Sequence, residues 1–69
     1  MGMNIVDVAK KAKEIVIFDH KVFCGNCNDR QFSPFDKLYT EAYGMCYMCD
    51  TDEGEIKSKN ILSIVESEL

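Results

Sequence analysis

Apolar positions recur at helical spacing in three stretches of this chain. Ile5, Val8, Ala9, Ala12, Ile15 and Val16 fall within an arc of roughly 120° at ~100° per residue, with Lys10, Lys11, Lys13 and Glu14 outside it. This predicts an amphipathic first helix, capped by Asn4 and with Asp7 in an imperfect capping box. Ile17 and Phe18 leave the arc, and the β-branched run Ile15-Val16-Ile17 favours a switch to extended chain. Lys21-Val22-Phe23 is then expected as a short strand.

Ser33-Pro34-Phe35-Asp36 has the form of a second helix start, with Ser as cap, Pro in the first turn and Asp at the third position. Phe35, Leu38, Tyr39, Ala42 and Tyr43 supply its apolar face, and Gly44 is its expected stop. Asp52-Glu53-Gly54 reads as a turn and Glu55-Ile56-Lys57 as a short strand. A third helix is expected from Ser58 or Asn60 to the end, presenting Ile61, Leu62, Ile64, Val65 and Leu69. The expected fold class is α+β: a small, helix-rich, metal-stabilised domain spanning 1–69, ordered helix, knuckle, helix, knuckle, helix, with short strands beside the knuckles.

At 69 residues the chain has room for one modest core. Such a core rarely supplies more than ~3–5 kcal/mol, so a staple is needed. The four cysteines are the candidate: Cys24-Gly25-Asn26-Cys27, then eighteen residues, then Cys46-Tyr47-Met48-Cys49. A two-residue spacing lets the intervening backbone curl so that both sulfurs point at one ion. Two such pairs complete a tetrahedron, Cys₄, and leave no open position for substrate water. The residue after each pair, Asn28 or Asp50, is of a type that tolerates the left-handed turn expected there. The expected ligands are Cys24, Cys27, Cys46 and Cys49, and the expected cofactor is one structural Zn²⁺. Four free buried cysteines or two disulfides are the competing readings; a reducing cytosol disfavours the disulfides.

The stretches Phe23–Asn28 and Met45–Asp50 resemble the zinc-knuckle and zinc-ribbon modules, whose knuckles read Cys-Pro-x-Cys-Gly. Gly25 stands where that pattern has Pro, and Asn28 and Asp50 stand where it has Gly. The resemblance implies the metal site. The helical pattern over 34–43 argues against the ribbon topology, which would place β-hairpins around both knuckles.

Tetrahedral sulfur also suits iron, as in rubredoxin-like electron-transfer sites. His20, the sole histidine, is expected on the surface or beside the ligands, since four sulfurs already complete the site. No Ser-His-Asp set, Gly-rich phosphate loop or paired-carboxylate motif is present, and no enzymatic activity is expected. Phe23, Phe32, Phe35, Tyr39, Tyr43 and Tyr47 are expected mostly in the core, and Met45 and Met48 as gap-fillers beside the second knuckle.

Charge changes the picture of partners. The formal net charge is −4. Residues 1–49 hold six basic and six acidic side chains, whereas 50–69 hold six acidic and two basic ones. Four thiolates around a divalent ion add −2, giving about −6 for the loaded protein. The acidic end, with Asp52, Glu53 and Glu55 as candidate contacts, suits a basic protein surface and repels phosphate backbones. The expected role is therefore a protein-interaction module, or a small regulator or inhibitor of a larger machine such as a transcription complex. Nucleic-acid binding through Lys10, Lys11, Lys13 and exposed aromatics is the second reading, and iron electron transfer the third. No 18-residue apolar run predicts a membrane span. The Met1-Gly2-Met3-Asn4 start lacks the basic end and apolar block of a secretory signal, and Val6 occupies the Ser/Thr position of a myristoylation motif, so a cytoplasmic location is expected.

Overall fold

A computed structural model describes residues 4–18, 20–50 and 52–69; the Met1-Gly2-Met3 start weighed above for targeting lies outside them. Among the described residues there are four helices and one two-stranded sheet, a mixed helix-and-strand architecture. The first predicted helix is present as two segments, α1 (Ile5–Lys10) and α2 (Ala12–Ile17). Asn4 caps α1 as expected, its Oδ1 accepting the Val6 N–H at 2.9 Å. Neither Pro nor Gly lies at the Lys11 joint, and nothing in the structure explains it. The buried face nevertheless runs on across the joint through Val8, Ala12 and Ile15, at the helical spacing of four and three residues.

The expected switch to extended chain at 15–17 does not occur; α2 continues to Ile17. Ile15 is locked in the core, and its burial outweighs the weak β preference of its neighbours. The chain then reaches β1 (Val22–Phe23), near the predicted strand. Its antiparallel partner β2 (Arg30–Gln31) was not foreseen. The register is Val22 opposite Gln31 and Phe23 opposite Arg30, so the hairpin encloses the first cysteine pair.

Helix α3 (Pro34–Tyr43) matches its prediction residue for residue at both ends. The Ser33 hydroxyl accepts the Asp36 N–H at 3.2 Å. Gly44 closes the helix in the left-handed region at φ 82°, its N–H donating to the Thr40 carbonyl. α3 touches every other element. Leu38, Tyr39 and Ala42 on α3 meet Val8, Ala12 and Ile15 from one side and Ile61 and Ile64 from another, with Val22 completing the core.

The last helix, α4 (Gly54–Glu68), begins four residues before Ser58, the earlier of its two expected starts, so Glu55-Ile56-Lys57 is its first turn and not a strand. Gly54 is buried, and a β-carbon there would stand 3.2 Å from the Tyr47 ring. Glycine at this point lets the ring lie against the helix start, so it begins the helix where a turn was expected. The apolar face is narrower than predicted: Ile61 and Ile64 are buried and Val65 partly so, but Leu62 and Leu69 are exposed.

Candidate metal centre

The first knuckle hangs from the β1–β2 hairpin. Cys24 N–H donates to the Asp29 carbonyl, and Asn28 N–H to the Cys24 carbonyl, both at 3.0 Å. Asn28 is left-handed, φ 63°, as expected of the residue after a knuckle. The second knuckle lies between α3 and α4. There Cys49 and Asp50 both donate their N–H to the Cys46 carbonyl at 3.1 Å. Asp50 does not adopt the left-handed conformation expected of it; Asn28 is the one non-glycine residue with positive φ among the described residues.

Two hydrogen bonds tie the knuckles together: the Cys46 N–H donates to Cys24 Sγ at 3.3 Å, and a backbone contact joins Gly25 to Gly44. The Gly25 N–H donates to the Gly44 carbonyl at 3.0 Å, and a β-carbon on Gly25 would stand 2.6 Å from that same oxygen. This explains why Gly occupies the position that knuckle modules fill with Pro. Proline has no N–H to give and brings a ring to a place with no room for one carbon.

The four sulfurs converge. Cys24 Sγ lies 3.6 Å from Cys49 Sγ, Cys27 Sγ lies 3.8 Å from Cys46 Sγ, and Cys46 Sγ lies 3.4 Å from Cys49 Sγ. All four fall within 4.8 Å of one another. A disulfide needs ~2.05 Å, and all four cysteines are free. Sulfurs ~2.3 Å from a central ion at tetrahedral angles are separated by about 3.8 Å, so the observed edges fit one four-coordinate metal ion.

The cluster is also prepared electrostatically. Cys24 is buried, which opposes its thiolate, but the backbone N–H groups of Cys27, Cys46 and Asn26 all point at its sulfur, at 3.3–3.4 Å. They outweigh burial and hold its pKa down to about 6. Around Cys27, the Asp29 N–H favours the thiolate, but sharing hydrogen bonds with Cys24 and the other sulfurs pushes its pKa up to about 12. Burial, above all, raises that of Cys46. The Cys24 thiolate is thus favoured, while Cys27 and Cys46 resist ionisation. Four sulfurs this close are all deprotonated only with a cation among them.

Outside the sulfurs, Asp50 serves as a strut. Its carboxylate accepts from the Tyr39 hydroxyl at 3.1 Å and from Lys57 Nζ at 2.8 Å, joining α3, the second knuckle and α4. The Lys57 ammonium holds the Asp50 carboxyl below its ordinary range. Tyr39 is fully buried at the hub of an aromatic cluster, with Phe35 and Tyr47 at 5.8 Å and Tyr43 at 5.0 Å. Sequence patterning gave no signal for this strut, since its members are eleven and seven residues apart from Asp50 and look like ordinary surface types.

The remaining expectations divide. His20 is exposed and not among the converging residues. Asp52, Glu53 and Glu55 are exposed beside the second knuckle, with Glu53 3.4 Å from Lys57. Met48 is 81 % exposed, which overturns its expected gap-filling role. Phe35, Tyr39 and Tyr43 are packed on the core as expected, whereas Phe23, Phe32 and Tyr47 are exposed. Lys10, Lys11 and Lys13 all face solvent. No helix among the described residues is long and apolar enough to cross a membrane. Compared with protein-family models, with curated proteins and with solved structures, the chain finds no match. The knuckle resemblance therefore rests on the sequence pattern and on the geometry of the site itself.

Proposed function

We propose that this protein is a non-catalytic zinc-binding interaction module, with one Zn²⁺ held by Cys24, Cys27, Cys46 and Cys49 and with an acidic face that binds a basic protein surface. The observation that carries the reading is the closed sulfur set. Four sulfurs within 4.8 Å of one another would fill every vertex of a tetrahedron, so the ion would supply folding energy and no vacant position for substrate. The bound ion would join the β1–β2 hairpin to the loop between α3 and α4, two segments that also meet through the Gly25–Gly44 and Cys46–Cys24 hydrogen bonds. By analogy, such a compact acidic part fits a regulator or inhibitor acting on a larger assembly, a transcription complex for example.

Charge supports a protein partner. Asp50, Asp52, Glu53 and Glu55 against Lys57 leave a local surplus of −3 next to a cluster that would itself carry −2 when loaded. A basic surface is steered toward such a face, whereas a phosphate backbone meets repulsion there. The test uses the metal-loaded protein as bait at ~0.15 M salt, where charges are screened beyond ~8 Å. A partner retained after nuclease treatment, weakened by added salt and lost with Asp52→Lys, Glu53→Lys and Glu55→Lys supports the reading. Recovery that depends on nucleic acid contradicts it.

One observation favours nucleic acid as a second reading. Phe23 and Phe32 stand exposed on the β1–β2 hairpin, and the Arg30 guanidinium lies 5.0 Å from the Phe32 ring centre, as in a stacking platform. Submicromolar binding to single-stranded DNA or RNA at ~0.15 M salt, lost with Phe32→Ala, would establish it. Iron in place of zinc, the third reading, is decided by elemental analysis.

A further inference from the structure

The second knuckle and the first turn of α4 enclose a groove of about 300 Å³, lined by Tyr47, Met48, Asp50, Gly54 and Glu55. One wall is the edge of the Tyr47 ring, placed there by Gly54, which alone among residues would not crowd it. The lip is Met48, an exposed and unbranched side chain able to adjust its shape to an incoming group. The floor is Asp50, already engaged by Tyr39 and Lys57. Leu62 stands seven residues beyond Glu55, on the same side of α4, and is 46 % exposed, with Ser58 and Lys59 between them on that side.

The volume lies at the low end for a ligand pocket. It suits one anchoring side chain better than a whole small molecule. Its surroundings are acidic: Asp52 and Glu53 lie in the turn leading to Gly54, and Glu55 is on the rim. Lys57, the basic group closest in sequence, is already committed to Asp50 and Glu53.

We infer that this groove is the docking site for a protein segment that carries one large aliphatic or aromatic side chain flanked by lysines or arginines. The apolar side chain enters between Tyr47 and Met48, and the flanking cations meet Asp52, Glu53 and Glu55. The inference rests on the interaction-module reading above and names the site and the chemistry of its occupant. Apolar anchors in small pockets with charged rims carry most of the energy in such contacts.

The probe is a phage-displayed library of random twelve-residue peptides, panned at ~0.15 M salt against the full zinc-loaded chain. The expected consensus has a Leu, Ile, Met, Phe or Trp with at least two Lys or Arg within four positions. The best peptide, synthesised, is expected to lose on the order of tenfold in affinity to Met48→Ser and a similar factor to Glu55→Lys. Both residues are exposed, so zinc content and NMR dispersion are expected to stay unchanged in both variants. A consensus without basic residues, or an affinity indifferent to both substitutions, overturns the inference, as does failure to enrich any peptide. If the enriched peptide shifts the resonances of Phe23 and Phe32 and not those of Tyr47 and Met48, the groove assignment fails while the interaction-module reading stands. If no peptide enriches and single-stranded nucleic acid binds tightly under the same conditions, both fail.

Discussion

A β-carbon on Gly25 would stand 2.6 Å from the Gly44 carbonyl oxygen, and the Gly25 N–H is the group that oxygen accepts from. Gly25→Ala introduces the clash, and Gly25→Pro removes the donor as well. Each is expected to cost about 1–3 kcal/mol, hence roughly tenfold or more in zinc affinity, read by competition with a chromophoric chelator. Tyr39 makes a second residue-scale prediction. Burial, and then its bond to Asp50, pushes its phenol well above the usual tyrosine range. Above about pH 10 the unfolded chain releases this proton while the folded one keeps it, so the stability it lends is present below that pH and falls as pH rises. The denaturation midpoint is expected to drop between pH 9 and 11, and less steeply in Tyr39→Phe. The cysteines and Asn28 were legible because knuckle chemistry is local, encoded in spacing and in one left-handed residue. Asp50 was not: its conformation answers to Tyr39 and Lys57 on two other elements, and no local pattern encodes that.

Among the elements, the helical face running through α1 and α2 was legible from periodicity, though not the joint at Lys11 or the continuation to Ile17, and α1 and α3 also from caps, since Asn4, Ser33 and Gly44 satisfy helix ends with their own groups. Strand β2 was not, because Arg30–Gln31 is polar and short, and pairs with β1 only because the knuckle folds the chain back on itself. The first turn of α4 was hidden by Gly54, which marks a turn in sequence but a close ring-to-helix contact in the fold. The narrower face of α4 gives a direct contrast. Ile61 is fully buried and Leu62 is not. Ile61→Ala is expected to cost about 2–5 kcal/mol, whereas Leu62→Ala stays within about 0.5 kcal/mol. Denaturant unfolding of the zinc-loaded variants measures both, and equal losses would mean that α4 is rotated from the orientation described.

At the scale of the whole molecule, the core among the described residues is built from nine buried hydrophobic residues gathered around α3. A core this small supplies only ~3–5 kcal/mol, whereas structural zinc contributes ~10–16 kcal/mol in small peptides at neutral pH. Chelation is therefore expected to abolish tertiary order, seen as collapse of NMR amide dispersion, with some helicity surviving in α1 and α2. Persistent dispersion without metal would show that α3 and its neighbours hold together unaided. The most direct test of the central claim is X-ray absorption at the zinc edge of the purified protein. Four sulfur scatterers at ~2.3 Å from one zinc per chain are expected. A nitrogen or oxygen ligand in the first coordination sphere, or a protein that takes up no zinc, would contradict the account.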